Sequence, residues 1–220
     1  MTKVHPNVAS AAAAKAEAAA TAAVAPAVGE EKGEAVSLTV WRRSLLFNGK
    51  GFTVFDGKGN LVFRVETYAG GSPREIVLMD PDGHGLLTIR RKKLSFAEEW
   101  LIYDGDTAAS PSAAPAPKRF TARRHVSLRP TRSLAHLSPA SADARASPSC
   151  RYDVEGSYAG RCLDVFASSV SGGEQRRRVA AVCQKEAAVG PDVFRLVVEP
   201  GFDPALAMAV VILLDQMHAS

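Results

Sequence analysis

Short segments of alternating apolar and polar residues recur along the chain, and turn residues separate them. Phe52–Phe55 and Leu61–Val65 flank the turn Asp56–Asn60, which is typical of a β-hairpin. Ile76–Met79 and Leu86–Arg90 flank a second turn in the same way. The pattern predicts about ten or eleven strands in all. The others are Ser37–Arg42, Trp100–Tyr103, Lys118–Val126, Arg151–Gly156, Cys162–Ala167, Arg178–Gln184 and Val193–Glu199.

The C-terminal segment has a different pattern, because every residue from Ala205 to Leu214 is apolar. Asp203 before it suits a helix N-cap, and Pro204 suits the first helical position. A helix without a polar face must be buried, and this one rises only about 15–20 Å, too short for a bilayer core of roughly 30 Å. We therefore predict a core helix rather than a tail anchor. Its buried positions are Leu206, Val210, Val211, Leu213 and Leu214.

These elements predict a mainly β fold in which a closed barrel encloses the helix. A sheet with one apolar face can close on itself, and a barrel of about ten to twelve strands is wide enough to hold a helix. The barrel domain is predicted over residues 36–217. Residues 1–35, rich in alanine, are predicted to be a disordered extension. Mobile insertions are predicted at residues 106–117 and 129–149, the second as a long loop between two strands.

The cysteines and the N-terminal sequence indicate the cellular compartment in which the protein is expected. Cys150, Cys162 and Cys183 are an odd number with no paired short spacing, which argues against a disulfide framework or a zinc site. Cys162 and Cys183 fall inside apolar strands. The N-terminus has neither a secretory apolar core nor the arginine-rich pattern of a transit peptide. We therefore expect an intracellular protein with free thiols that is cytoplasmic, with association with a membrane or location in the nucleus as further options.

Motifs for enzymatic chemistry do not stand out. The segment Asp80–Gly85 begins like a calcium-binding loop, but Arg91 occupies the twelfth position, where a glutamate is needed. A hairpin turn explains this segment better. His84, His125 and His136 have no cysteine or carboxylate at ligand spacing, so we predict structural or solvent-exposed roles for them. We expect no catalytic activity, no cofactor and no metal site.

Several segments carry a more specific signature. They are Met1–Asn7, Leu38–Gly49, Phe52–Asp56, Leu78–Asp80, Thr88–Ser95, Arg151–Tyr158 and Gly201–Pro204. In these segments the chain resembles the plant LURP-one-related family, over about residues 36–217. The resemblance implies a tubby-like fold, a closed barrel of about twelve strands around a hydrophobic C-terminal helix. The alanine-rich extension and residues 129–149 depart from the family pattern.

The resemblance also implies classes of function, although fold alone does not transfer activity. Some members of the family are linked to plant defence. Relatives with the same fold include tubby proteins, which bind phosphoinositides and are associated with transcription, and phospholipid scramblases. A scramblase is expected to carry an acidic calcium-binding segment and a membrane-anchoring helix. Here the acids near the helix are Asp203, predicted as its cap, and Asp215, predicted to end it.

Basic residues form the clearest candidate site. Clusters of this kind suit anionic lipid headgroups or nucleic-acid phosphates. Strand alternation would place Arg90 and Lys92 on one face and Arg91 on the other. The lipid-binding candidates are Arg90, Lys92, Arg123, Arg124, Arg176 and Arg177.

The sequence therefore predicts a non-enzymatic protein whose basic surface binds phosphoinositide membranes. One alternative is a nucleic-acid-binding, transcription-associated protein, although Phe120 is the only aromatic residue near Arg123 and Arg124 for base stacking. A second alternative is a protein-interaction module that uses the mobile tails. In a third, each cluster is a solvated face that keeps the protein soluble.

Overall fold

The computed structural model describes residues 33–43, 51–66, 75–92, 98–107, 116–127, 131–140, 150–169, 176–185, 190 and 192–218. These residues form twelve strands and one helix. The strands are β1 (Val36–Trp41), β2 (Gly51–Phe55), β3 (Leu61–Glu66), β4 (Glu75–Met79), β5 (Gly85–Arg91), β6 (Glu99–Asp104), β7 (Lys118–Arg124), β8 (Ser133–Pro139), β9 (Cys150–Ser157), β10 (Cys162–Ser169), β11 (Arg177–Gln184) and β12 (Val193–Val198), and the helix is α1 (Pro204–His218).

The strands close into one antiparallel barrel, as predicted. Each strand pairs with its neighbours in the chain, and β1 closes the ring by pairing with β12. The closing ladder runs from Val36 opposite Val198 to Trp41 opposite Val193. Because a closed sheet leaves no open edge, every described strand has a partner on both sides.

Helix α1 fills the core of this barrel. The five predicted core positions are all buried, and none of their side chains is more than 2% exposed. They belong to the same hydrophobic cluster as inward-facing strand residues such as Val40, Ile89 and Phe194. Full burial of one such aliphatic side chain contributes about 1.5–3 kcal/mol. The helix is therefore at the centre of the apolar core, and the inner faces of the strands pack around it.

The predicted cap of the helix is confirmed. The backbone amide of Ala205 donates to Asp203 Oδ1 at 2.8 Å. Asp203 Oδ2 accepts a hydrogen bond from Arg119 Nη1 of β7 at 2.9 Å. Pro204 is the first residue of the helix. The cap therefore satisfies a free amide of the first turn and also attaches the helix start to the barrel wall.

The helix continues beyond the predicted end at Asp215, up to His218. Asp215 is buried, and its Oδ1 accepts hydrogen bonds from Arg42 Nε at 2.7 Å and from the Tyr158 hydroxyl at 2.8 Å. The guanidinium of Arg161 lies 4.3 Å from the centre of the Tyr158 ring. The sequence predicted that Asp215 ends the helix, but its carboxylate is instead buried and accepts hydrogen bonds from two donors. We call Arg42, Tyr158, Arg161 and Asp215 the polar plug.

The polar plug predicts a pH dependence of stability. Burial raises the pKa of the Tyr158 hydroxyl above its ordinary value of 10.0, and the Asp215 carboxylate raises it further. Above about pH 10 the unfolded chain releases this proton while the folded protein keeps it, so the free energy of unfolding falls as pH rises. Urea unfolding across alkaline pH should show this fall in the wild type and a shallower one in Tyr158→Phe. An equally steep fall in both proteins would contradict the assignment.

One strand was not predicted. Residues 129–149 were expected to form a loop, but Ser133–Pro139 is strand β8, which pairs with β7 and β9. Ala135 and Leu137 point into the core, where they are 2% and 1% exposed. Of the other residues for which disorder or mobility was predicted, 1–32, 108–115, 129–130 and 141–149 lie outside the described part of the chain.

Candidate functional site

Two glutamates at the start of β6 each bind two basic side chains at one end of the barrel. Glu99 is buried, and its Oε2 lies 3.1 Å from Lys92 Nζ and 3.7 Å from Arg123 Nη2. The strand register explains this contact, because Glu99 stands directly opposite Arg123 and the backbone amide of Lys92 donates to the Glu99 carbonyl at 2.9 Å. Glu99 therefore holds Lys92 and Arg123 side by side.

Glu98 repeats the arrangement one residue earlier. Its Oε1 lies 3.1 Å from Arg91 Nη2, and its Oε2 lies 3.4 Å from Arg124 Nη1. Among the described residues, four cations thus meet two carboxylates, which leaves an excess of positive charge. The four side chains are between 41% and 65% exposed, so their charge faces water. We call Arg91, Lys92, Arg123 and Arg124 the basic cluster.

A groove of about 510 Å³ adjoins the basic cluster on strands β6 to β8. Arg123 and Arg124 form part of its lining, together with His125, Val126 and His136. Val126 is 84% exposed, the largest value among the exposed large hydrophobic side chains of the described residues. The groove thus combines cationic walls with a projecting apolar side chain.

A hydrogen-bonded chain of side chains lies in this region, contributed by His125 directly after β7 and by strands β8 and β9. His125 Nδ1 lies 2.9 Å from His136 Nε2, and His136 Nδ1 lies 2.6 Å from Asp153 Oδ1. The sequence showed no carboxylate at ligand spacing from His136, but the fold brings Asp153 to it. The register accounts for the chain, because Arg123 stands opposite His136 and His136 stands opposite Asp153. Asp153 fixes the His136 ring and turns its Nε2 towards His125.

Ser133, His136 and Asp153 are the residue types of a serine–histidine–aspartate triad, but their distances differ from those of an activated serine. Ser133 Oγ lies 3.4 Å from His136 Nε2, on the side away from Asp153. A serine activated by histidine needs a hydrogen bond of about 2.6–3.2 Å to that nitrogen. His125 Nδ1, at 2.9 Å, occupies the direction that the serine would need. The 3.4 Å contact of Ser133 is thus longer than the hydrogen bond of an activated serine, and His125 is the nearer partner of His136 Nε2.

Arg90 does not belong to the basic cluster. Its Nη2 donates to Glu75 Oε2 at 2.9 Å and to Thr107 Oγ1 at 2.9 Å, and its guanidinium lies 5.6 Å from the centre of the Tyr103 ring. Burial alone would raise the pKa of Glu75, but the hydrogen bonds from Thr107 and Arg90 bring it below its ordinary value. Arg90 thus stabilises the β4–β5 pair, as its partners show.

Arg176 and Arg177 lie away from the other candidates. Three strands separate β7 from β11, and each step between neighbours reverses direction, so these two strands run the same way. Arg123 and Arg124 end β7, whereas Arg177 begins β11, which places them at opposite ends of the barrel. Arg176 forms an ion pair with Glu155 and stacks on the Phe166 ring at 3.9 Å. The six predicted residues therefore do not form one patch.

The turn between β4 and β5 is a hairpin turn, as predicted. Asp80 Oδ1 accepts the backbone amide of His84 at 2.8 Å, and Gly83 takes a φ of 96° that favours glycine. Ligand atoms of Asp80, Asp82 and His84 lie within 4.8 Å of one another. Asp80 Oδ2 lies 3.0 Å from His84 Nδ1, so His84 also has a carboxylate partner, contrary to expectation. Asp80 is thus already used within the turn.

Four residues of the site were not anticipated. Glu98 and Glu99 lie before the predicted strand Trp100–Tyr103 and were not singled out, and Val126 was only the last residue of a predicted strand. Glu99 and Arg123 form a typical cross-strand pair, but only the register of β6 with β7 reveals it. His136 gave no local signal either, because its partners depend on the unpredicted strand β8.

Comparisons with known proteins agree with the fold. A family model described as LURP-one-related matches residues 36–215. Protein LURP-one-related 8 of Arabidopsis thaliana is 38% identical over 226 residues, which cover 100% of each chain. Protein LURP-one-related 17 of the same plant is 37% identical, and the match covers 85% of each chain. Protein LURP-one-related 5, also from this plant, is 40% identical, with 84% of this chain and 85% of the relative covered.

A solved structure has the same architecture. An X-ray structure of an Arabidopsis thaliana protein superposes with a TM-score of 0.57, covering 83% of this chain and 91% of that chain. The identity is 21%, so this likeness bears on the fold alone. Within the residues that the structure describes, no helix has both the length and the apolar character needed to span a bilayer.

Proposed function

The chain belongs to the LURP-one-related family, and we propose that it works as a peripheral adaptor that binds anionic phosphoinositide membranes through the basic cluster. The observation that carries this proposal is the pairing of four exposed cations with only two carboxylates at one end of the barrel. Each cation near an anionic membrane contributes about 1 kcal/mol. Two unbalanced charges give weak, reversible attachment, which suits an adaptor.

The groove beside the cluster adds a second contribution. Val126 projects next to Arg123 and Arg124, and an apolar side chain among cations can enter the boundary between headgroups and acyl chains. Both ring nitrogens of His136 are used within the hydrogen-bonded chain, so His125 Nε2 is the ring nitrogen that can donate a hydrogen bond to a phosphate group on this surface. The proposed ligand is therefore a phosphorylated lipid headgroup at the cytoplasmic face of a membrane. The family resemblance also implies a link to plant defence, which is compatible with a location at a membrane.

Liposome flotation tests the proposal. Arg123 and Arg124 should both be changed to glutamine, because glutamate would repel Glu98 and Glu99 and disturb the fold. Removal of two cations should weaken binding to phosphoinositide vesicles by about 2 kcal/mol, or roughly 30-fold. The matched control is Arg176→Gln with Arg177→Gln, which removes the same charge at the opposite end and should leave binding within about twofold.

The remaining arms of the experiment separate the alternatives. Vesicles with phosphatidylserine at equal charge test whether headgroup phosphates matter beyond charge, and binding should weaken as salt shortens the Debye length below about 8 Å. A gel-shift assay with single-stranded oligonucleotides at the same salt tests the nucleic-acid alternative. The proposal fails if the wild type does not float with phosphoinositide vesicles at low salt, or if the control pair loses as much binding as the Arg123 and Arg124 pair.

A further inference from the structure

Two exposed cysteines lie side by side on the outside of the barrel. Strands β10 and β11 pair with Leu163 opposite Val182 and Asp164 opposite Ala181. The next step of this register places Cys162 opposite Cys183. Leu163 and Val182 are both buried at 3%, so the adjacent cysteines point outward, and both thiols are free. Both cysteines lie in strands, as predicted, but their thiols face solvent.

The separation suits a disulfide. Directly opposed residues of antiparallel strands have Cα atoms about 4.5 or 5.5 Å apart, and both values fall within the range of about 4.4–6.8 Å that a disulfide spans. Cys150 does not share this relation. It stands opposite Ser169, seven residues along β10 from Cys162, which corresponds to about 23 Å. The structure therefore brings together one pair of the three cysteines and separates the third from both.

Basic residues lie beside this pair. Arg195, exposed on β12, stands directly opposite Cys183. Thr39 of β1 stands opposite Arg195 on its other side. Lys185 Nζ lies 3.4 Å from the Thr39 hydroxyl oxygen. A small disulfide that carries carboxylates, such as glutathione disulfide, would meet these positive charges as it approached the thiols. The surroundings thus match an anionic oxidant.

We propose that Cys162 and Cys183 form a redox-active dithiol that glutathione disulfide or a similar small disulfide oxidises. The Cys183 thiolate attacks one sulfur of the oxidant, which gives a mixed disulfide and releases one glutathione thiolate. The Cys162 thiolate then attacks the Cys183 sulfur, forms the Cys162–Cys183 bond and releases the second glutathione. The two cysteine thiols lose two electrons and two protons, and the oxidant is reduced to two glutathione molecules. The bond would join β10 to β11 at the barrel end that holds the polar plug.

Mass spectrometry of the whole protein after equilibration with glutathione redox buffers tests this site. The wild type should become lighter by two hydrogen atoms, lose two of its three alkylatable thiols together, and yield one cross-linked peptide that joins Cys162 to Cys183. Cys150→Ser should show the same loss. Cys162→Ser and Cys183→Ser should each stop at the mixed disulfide, with the added mass of one glutathione.

Three outcomes would overturn the proposal. They are independent glutathione adducts on Cys162 and Cys183 in the wild type, thiols that stay reduced in excess oxidant, and a bond that involves Cys150 or joins two chains. The measurement detects a covalent bond and involves no membrane. Its result is therefore independent of whether the proposed membrane binding is correct. Circular dichroism of each serine variant confirms that the fold is retained.

Discussion

Replacement of Val211 by aspartate should abolish the folded barrel. Val211 is 1% exposed in the middle of α1 and belongs to the cluster that joins the helix to the barrel wall. An unpaired carboxylate there has no donor and no water, and the cost of such a buried charge is about 3–5 kcal/mol, to which the lost valine burial adds. Single domains have a total stability of about 5–15 kcal/mol, so most of it would be lost.

Thermal melting followed by far-ultraviolet circular dichroism measures this effect. The matched control is Val36→Asp, the same chemical change at the start of β1, where the side chain is 44% exposed. Substitutions at such surface positions change stability by about 0.5 kcal/mol or less. A cooperative melt of Val211→Asp at the temperature of the control would show that the helix does not fill the barrel.

Replacement of Asp215 by alanine should cost about 2–4 kcal/mol of unfolding free energy. The substitution leaves the buried Tyr158 hydroxyl without the acceptor at 2.8 Å and Arg42 without the carboxylate at 2.7 Å. The expected cost is below that of a fully buried pair because the Arg42 side chain is 39% exposed and keeps contact with water. The polar plug would then be a stabilising element and not merely the end of the helix.

Asp192 provides the comparison for this experiment. It is the other carboxylate near Arg42, with Oδ1 at 3.8 Å from Arg42 Nη1 and a side chain that is 44% exposed. An exposed pair of this kind contributes about 0–1 kcal/mol, so Asp192→Ala should unfold in urea close to the wild type. Equal losses for the two alanine variants would mean that burial of Asp215 contributes nothing.

The parts of the fold that depend on local pattern were predictable. The two hairpins between β2 and β3 and between β4 and β5 carry strong turn residues, and the all-apolar run of α1 with its Asp203 cap has no plausible exposed form. Closure into a barrel followed from the number of strands and from the need to enclose the helix. In each case the signal lies within a few neighbouring residues.

Strand β8 escaped prediction for a physical reason. Its inward positions are Ala135 and Leu137, and an alanine adds little apolar contrast to the alternation. Pro130 precedes it, Pro139 is its last residue, and Ser141, Ser147 and Ser149 follow it, a composition that is typical of loops. The strand exists because β7 and β9 both pair with it, which is a tertiary influence that the local sequence does not express.

The candidate sites were less predictable than the fold because they depend on register. Arg123 and Glu99 are far apart in the chain, and only the pairing of β6 with β7 makes them neighbours. His136 and Asp153 meet only once β8 exists, so the omission of that strand also hid the histidine chain. Cys162 and Cys183 similarly become a pair through the alignment of β10 with β11. A shift of one residue would remove any of these contacts.

The pairing of β1 with β12 has a consequence for synthesis of the protein. The first strand of the barrel cannot complete its pairing until the last strand, β12, has been synthesised. Helix α1, which fills the interior, comes after β12 in the chain. Until the C-terminal residues leave the ribosome, β1 has an unpaired edge and the inner faces of the strands have nothing to cover them. Contacts of such long sequence separation form slowly. The nascent chain should therefore depend on chaperones during translation, and premature termination before α1 should give aggregates instead of a smaller folded barrel.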